Sequence, residues 1–280
     1  DVRIGVRPRS YSQLTLYNLC GEQYRLSRVV RIPERPSVWL PGGSAFHSFA
    51  EEWSLLDWNG DDIPPIEELW QRHFARHMAE TEAANPGIPV ADWRCANKGR
   101  ENWEWWVSAG LKMCEDFVAW RHANPHLVIV ELPGGGPAIE FAMNPVLNGV
   151  TVRAYPDALY VDTRVGEVIC VDYKSGSKLP YGLLQHGTYK VGVEKLLGIP
   201  VSYGAYYMTR KGTLTEPVPL DNWTEPVVAR LFEDMDRSEA AGVYAPNIGS
   251  HCQYMCSYKA NCIYVGGVKH PLDDGTDHRD

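Results

Sequence analysis

Between Val168 and Gly176 the chain reads VICVDYKSG: four apolar residues run straight into Asp172, Tyr173 and Lys174. A strand buried enough to need Val-Ile-Cys-Val cannot end on bare charges, because burying a charge costs several kcal/mol unless it is paired or bound to a metal. A second segment, RAYPDALYVD, precedes it and is joined to it by the turn-like Thr163-Arg164-Val165-Gly166. A hairpin centred between Arg164 and Val165 pairs residues whose numbers sum to 329, which sets Asp157 opposite Asp172. Any odd-sum register keeps both carboxylates on one sheet face, whereas a slip of one residue sends them to opposite faces. Lys174 shares the face of Asp172, since side chains two apart on a strand point the same way.

Two facing carboxylates repel, and one tends to hold its proton. A divalent cation removes the conflict. Mg²⁺ or Mn²⁺ prefers hard oxygen ligands, commonly one or two carboxylates with waters and substrate phosphate oxygens. With a nearby ammonium such as Lys174, that set suits hydrolysis of a phosphodiester. D-x-K alone is a short and frequent pattern that a salt-bridged strand end also produces. It gains weight from Pro156-Asp157 at the matching distance in the neighbouring strand.

Around this pair the chain changes period. Ser10 or Ser12 can cap a helix through about Arg28. Gly43-Ser44 opens another through about Leu56, with Phe46, Phe49, Ala50 and Trp53 at helical spacing. Segments Ile66 to Ala83 and Lys98 to His122 continue the helical theme. From Leu127, the runs LVIVEL, AIEFAM, VTVRAY, DALYVD and EVICVDY read as strands. A helix from about Tyr181 to Leu197, a strand over Val201 to Thr209 and a helix from Glu225 to Ala241 follow. The expected fold is α/β, a mixed central sheet flanked by helices. One domain is expected over residues 1–265: a mainly helical part (10–125), a catalytic sheet core (126–210) and a C-terminal helix with a cysteine cluster (211–265). The polar end, 266–280, reads as a disordered tail.

PD at 156–157 and DYK at 172–174 resemble the active-site motif of the PD-(D/E)XK nuclease superfamily. Further features resemble its RecB-like exonuclease branch, which includes the CRISPR-associated Cas-four nucleases. His47 in GSAFHSFAE matches a G-x-x-x-H element whose histidine is a metal ligand. Gln185 and Tyr189 in LLQHGTYKVG match Q-x-x-x-Y on the helix after the DYK strand, and their spacing puts both on one helix face. Glu140 in AIEFAM resembles an acid on the strand before the first aspartate, with Glu131 as its rival. Ala154 stands where the branch usually has glycine. The resemblance implies a restriction-endonuclease-like core, Mg²⁺ or Mn²⁺ on His47, Asp157, Asp172 and the Tyr173 backbone carbonyl, and catalytic roles for Asp157, Asp172, Lys174, Gln185 and Tyr189.

Seven cysteines are unevenly placed, with Cys252, Cys256 and Cys262 packed into HCQYMCSYKANC. Thiolates at that spacing point to zinc or an iron-sulfur cluster, and three ligands need a fourth. Cys20 matches the N-terminal cysteine of the iron-sulfur RecB-like nucleases, which implies a 4Fe-4S cluster on Cys20, Cys252, Cys256 and Cys262, packed against the core. The branch usually spaces the last three as C-x2-C-x5-C. Here the first gap is one residue longer and Gly21 replaces a commoner proline, so zinc, with His251 as a substitute ligand, stays open. A cluster there closes a loop of more than two hundred residues, a structural role.

The net charge of -8 argues against coating nucleic acid by bulk electrostatics. Residues 1–35 nonetheless hold seven arginines, Arg3, Arg7, Arg9, Arg25, Arg28, Arg31 and Arg35, against three acids. These arginines, with Trp103, Trp105 and Trp106, are candidates for lining a DNA strand, although tryptophans in a helical pattern more often pack a core. No run approaches the roughly 18 apolar residues of a membrane span, and no basic-then-apolar leader opens the chain. A soluble, cytoplasmic protein of bacterial, archaeal or phage origin is expected. The start at Asp1, without methionine, suggests that residues or a tag were removed. The reading is a metal-dependent DNA exonuclease acting on strand ends, most of all single-stranded ones, in recombination, repair or spacer acquisition. A homo-oligomer or a recombination-complex partner is compatible with it. The alternatives are a DNA-end-binding adaptor with little catalysis and a structure- or sequence-specific endonuclease.

Overall fold

The computed structural model describes residues 7–180, 182–254 and 256–274. Two compact units interleave along the chain. One is built from 36–143 and 155–223, the other from the described parts of 1–35, 144–154 and 224–280.

In the first unit, α1 (Trp39–Asn59), α2 (Ile66–Ala84) and α3 (Trp103–Ala123) pack on one another. Phe46, Phe49, Ala50 and Trp53 recur at helical spacing on α1 and are all buried. The helix starts a turn before Gly43, because Pro41 falls in the first turn, where its missing N–H leaves nothing unpaired. It stops at Gly60, which is left-handed and returns its N–H to Asp57 and Leu56. The start of α3 is fixed by Asn102, whose side chain accepts from the Trp105 N–H at 3.0 Å. Two glycines let indoles enter the helix contacts. A Cβ on Gly42 would lie 2.4 Å from Trp106, and one on Gly110 would lie 1.9 Å from Trp70.

The sheet of this unit has β1 (Leu127–Ile129), β2 (Ala158–Asp162), β3 (Glu167–Lys174) and β4 (Tyr203–Met208) in that order. The first three are antiparallel, and β4 runs parallel to β3. Short strands β5 (Thr213–Leu214) and β6 (Val218–Pro219) pair with β4. The parallel pair requires a crossover, supplied by α4 (Leu184–Leu197). The expected start of that helix at Tyr181 falls outside the described residues. Partners in the β2–β3 hairpin sum to 329, the register that the turn chemistry implies. The turn holds because Asp162 accepts from the backbone N–H of Arg164 and of Gly166, and Gly166 is left-handed. Phe46, Phe117, Trp120, Tyr160, Tyr173 and Tyr207 fill the space between α1, α3 and the sheet, with ring centroids 4.6–6.2 Å apart along the contacts.

Two expected strands of the central sheet are not there. AIEFAM makes a single bridge, Ile139 to Ala158, because Glu140 adopts φ +44 and turns the chain out of line. VTVRAY contributes Val150–Arg153 to a three-stranded sheet of the second unit, between Arg9–Ser10 and Val146–Leu147. In that unit Ser10 and Gln13 form a reciprocal cap on the helix Tyr11–Leu19. The single helix expected through Arg28 breaks at Cys20, which is extended, and resumes as Gly21–Tyr24 and a π-helical turn, Arg25–Val29. Helix Glu225–Ala240 faces Arg9, which forms ion pairs with Asp236 (2.6 Å) and Glu239 (2.7 Å). Of the expected tail, Asp273 is buried and paired with Arg25 at 2.6 Å. Residues 275–280 lie outside the described residues. Among the described residues, no helix is long and apolar enough to cross a membrane.

Candidate active site

The alternation of β3 divides the DYK motif between two environments. Tyr173 points into the aromatic core and shares a 2.9 Å hydroxyl–hydroxyl hydrogen bond with Tyr160. Asp172 and Lys174 take the other face, where Lys174 Nζ lies 2.5 Å from Asp172 Oδ2. Asp172 is 1% exposed. Lys174 also donates to Gln185 Oε1 at 3.0 Å, while the Gln185 amide nitrogen donates to Asp172 Oδ1 and to the Tyr189 hydroxyl. The one-face spacing of Gln185 and Tyr189 on α4 thus makes a continuous bonded chain from Tyr189 to Lys174.

Asp157 sits one residue before β2, where the register sets it across from Asp172. Its carboxylate accepts the Tyr173 N–H at 2.5 Å, so the motif's aromatic residue anchors it through the backbone. The other Asp157 oxygen lies 3.3 Å from His47 Nδ1, which is 3.4 Å from Glu140 Oε1. Glu140 reaches this position because its left-handed backbone donates its N–H to the Asp157 carbonyl. Glu131, the rival acid, is exposed. His47, Glu140 and Asp157 each offer one ligand atom, all within 4.8 Å of one another.

The charges do not balance without a cation. Three carboxylates, Glu140, Asp157 and Asp172, face one ammonium and one imidazole. Burial, and then the neighbouring Asp157, push Asp172 up to about 7. Burial and Asp157 likewise raise Glu140. Burial acts in the same direction on Asp157, but His47, the Tyr173 N–H and Lys174 outweigh it and keep that carboxyl low. Burial disfavours a charged His47, yet Asp157 and Glu140 prevail and raise it well above the ordinary histidine range. A proton on His47 thus takes the place that a cation would fill. Hard oxygen donors plus one imidazole, carrying excess negative charge, fit Mg²⁺ or Mn²⁺.

Of the arginines and tryptophans expected to line a strand, Arg7, Arg28, Arg31 and Arg35 are exposed. Arg9 and Arg25 are committed to ion pairs, and Arg3 lies outside the described residues. Trp106 is fully buried, Trp103 is exposed, and Trp105 lies under the Arg210 guanidinium at 4.8 Å. Sequence reasoning did not single out Trp39, Glu51, Ser175 or Arg210, which line cavities at or beside the site. The spacing Trp39-x3-Gly43-x3-His47-x3-Glu51 is the signal that marks two of these, Trp39 and Glu51, as sharing the helix face of His47.

The second unit holds the four candidate cluster cysteines, while Cys95, Cys114 and Cys170 lie in the first. Cys20 and Cys252 are buried, and Cys256 and Cys262 are half-buried beside Leu26, Val30, Ile32 and Tyr258. Burial raises Cys256, and the charges of Cys20, Cys252 and Cys262 raise it further, so those three thiols lie within electrostatic reach of Cys256. Cys20 Sγ accepts from the Asn247 N–H, and Cys252 Sγ donates to the Asn247 carbonyl.

A mixed sheet with an acid pair, a lysine and a histidine–carboxylate group at the end of its central hairpin defines a metal-dependent phosphodiesterase site. The PD-(D/E)XK nuclease superfamily model matches residues 8–263, and the chain belongs to that superfamily. Its fold is therefore restriction-endonuclease-like, and its activity class is that of a nuclease acting on DNA. The chain is also similar to the Gene 69 protein of Mycobacterium phage D29, 31% identical over 247 residues covering 85% of this chain and 90% of the relative. It is 28% identical over 264 residues to the Gene 69 protein of Mycobacterium phage L5, with the same coverage.

Proposed function

We propose that the protein is a DNA exonuclease of the RecB-like, Cas-four-like branch. It hydrolyses phosphodiester bonds from strand ends, with single strands preferred, and carries a separate 4Fe-4S cluster. The observation that carries the reading is the convergence of His47, Glu140 and Asp157 beside the Asp172–Lys174–Gln185 chain. His47, Asp157, Asp172 and Glu140 would hold Mg²⁺ or Mn²⁺, with the Tyr173 backbone carbonyl as a further ligand. When bound, the metal polarises the phosphate and lowers the pKa of a coordinated water. Lys174, oriented by Asp172 and Gln185, presents its ammonium to the water and to the charge developing on the phosphoryl oxygens. Tyr189 fixes the Gln185 amide so that its oxygen faces Lys174 and its nitrogen faces Asp172.

For the cysteines, tetrahedral zinc with Zn–S bonds of about 2.3 Å brings its thiolates to about 3.8 Å from one another. Support for a cluster over a single zinc ion comes from the resemblance of Cys20, Cys252, Cys256 and Cys262 to the ligands of the iron-sulfur branch, and zinc is the alternative. A service in recombination, repair or spacer acquisition, alone or beside a partner, is consistent with an end-directed nuclease.

End-labelled single- and double-stranded DNA, incubated with Mg²⁺ or Mn²⁺, tests the activity. Linear single strands are expected to be degraded and circular ones spared, with Lys174→Ala inactive. No cleavage under either metal would leave DNA-end binding as the function. Anaerobically purified protein should be brown and bleach on reduction, and a colourless zinc protein would overturn the cluster.

A further inference from the structure

Along α1, the face that bears His47 continues two turns toward the N-terminus through Gly43 to Trp39, about 12 Å at 1.5 Å per residue. Trp39, Gly43, His47 and Glu51 all line one cavity of about 520 Å³, together with Glu140 and Asp157. Beside it lies a second cavity of about 620 Å³, lined by Ala96, Asn97, Glu101, Ser177 and Arg210 among others. The two share Trp39 and Ser175, the residue that follows Lys174. They therefore adjoin, with Trp39 and Ser175 in the wall they share.

The junction is built for close approach. A Cβ on Gly43 would come within 2.9 Å of the Ser175 hydroxyl and 4.0 Å of its Cβ, so α1 lies close to the end of β3 here. Trp39 packs partly on the core, is half-buried, and has the Arg94 guanidinium 5.1 Å from its ring centroid. Leu40 beside it is 57% exposed. The second cavity has its own cation. Arg210 donates to the Ser175 carbonyl and to Glu101, both at 2.7 Å, and its ion pair neutralises the acid in that wall. The rim turns through Asn97 (φ +50) and Lys98 (φ +56), two successive non-glycine residues in the left-handed region. Lys98 and Arg100, next along this turn, are exposed.

A half-buried indole with a guanidinium over its ring, lining the same cavity as His47 and Asp157, has the chemistry of a base-stacking platform. We propose that Trp39 stacks a base of the DNA strand whose backbone runs past Arg210 into the metal site, and so positions the strand for cleavage. The stacked base belongs to a nucleotide near the cleaved linkage but not at it. A base paired in a duplex has no free face to offer, so Trp39 also favours single strands. This role rests on the nuclease reading above, but binding can be measured without cleavage.

The test uses fluorescence-labelled oligothymidylate and full-length protein in EDTA. Base–aromatic stacking of about 1–3 kcal/mol corresponds to about a 5- to 150-fold loss of affinity for Trp39→Ala. Trp39→Phe should retain most of the affinity. Because Trp39→Ala could disturb packing, wild-type protein is also tested with oligonucleotides carrying one abasic site at successive positions. One position near the cleaved end should weaken binding by a similar factor, and its neighbours should not. The platform is overturned if no single position matters and a folded Trp39→Ala binds within twofold of wild type, or if wild-type protein does not bind the strand. Tight, Trp39-dependent binding without cleavage in Mn²⁺ would retain the platform and remove the nuclease reading. Cleavage indifferent to Trp39 and to abasic position would do the reverse.

Discussion

Gln185 is the residue whose loss separates positioning from binding. Its carboxamide accepts from Lys174 at 3.0 Å and donates to Asp172, so Gln185→Met removes both bonds while keeping a side chain of similar length and reach. Lys174 then keeps only the Asp172 carboxylate among these two partners, and it can rotate about that ion pair away from the phosphate. A hydrogen bond to a charged group contributes about 1.5–3 kcal/mol. If the Lys174 bond acts in the transition state, kcat falls about 10- to 150-fold while KM for DNA stays within about threefold. Asp172, already pushed to about 7 by burial and Asp157, loses a donor to its charged form and rises further. The deficit in kcat should therefore grow as pH drops from 8 toward 6. Single-turnover cleavage across that range, with urea unfolding as a control, measures both effects. A folded Gln185→Met enzyme with kcat within threefold of wild type at every pH would refute the reasoning.

His186, next on the same helix, is fully buried and donates to the Ala205 carbonyl. Burial lowers it to about 4, so the unfolded chain binds the extra proton first: stability is full above about 6.5 and is lost as pH falls toward 4, by about 2 kcal/mol at pH 5. His186→Gln should flatten that profile in urea unfolding, and an unchanged profile would show that other groups cause it. Gly110→Ala drives a methyl into the Trp70 indole and should cost about 1–3 kcal/mol, read as a lower urea midpoint. His47→Ala removes one of three converging ligand groups and should weaken Mn²⁺ binding at least ~10-fold by calorimetry; unchanged affinity would remove His47 from the metal site. Replacing Cys256 with Ser should bleach the protein and lower the stability of its own unit, leaving the β3 hairpin's amide-exchange protection unchanged.

The part of this site that was legible in the sequence is the part fixed by local rules. The hairpin register follows from four turn residues, and alternation then assigns Asp172 and Lys174 to one face and Tyr173 to the other. Helical spacing puts Gln185 and Tyr189 on one face, and the resemblance to Q-x-x-x-Y is what assigned that face to the site. Glu140 was named only through the resemblance, and on a strand it does not form, because its place depends on a left-handed backbone and a bond to the Asp157 carbonyl that no strand pattern announces. For the same reason AIEFAM, apolar enough for a strand, is not one. VTVRAY is a strand, but its pairing partner is Arg9–Ser10, more than a hundred residues away, and nothing local selects that partner over the central sheet. The arginines show a further limit: composition counts charges, whereas function depends on which remain unpaired, and Arg9 is consumed by Asp236 and Glu239.

Tyr173 shows why a motif of this kind tolerates little change around its charged residues. Its ring packs against Phe46 and Phe117, its hydroxyl meets Tyr160, and its N–H holds the Asp157 carboxylate. The same residue therefore clamps the strand to the helices and fixes the acid that faces His47. Because Phe46 is the neighbour of His47 on α1, packing on the core face and ligand geometry on the site face are set by one contact between α1 and β3. A substitution such as Tyr173→Leu would keep much of the burial and lose the hydroxyl bond, and would shift the strand end by the difference in side-chain reach. Catalysis should suffer more than stability from such a change, since ligand positions tolerate only about 0.5 Å of error whereas a core of the right volume can repack.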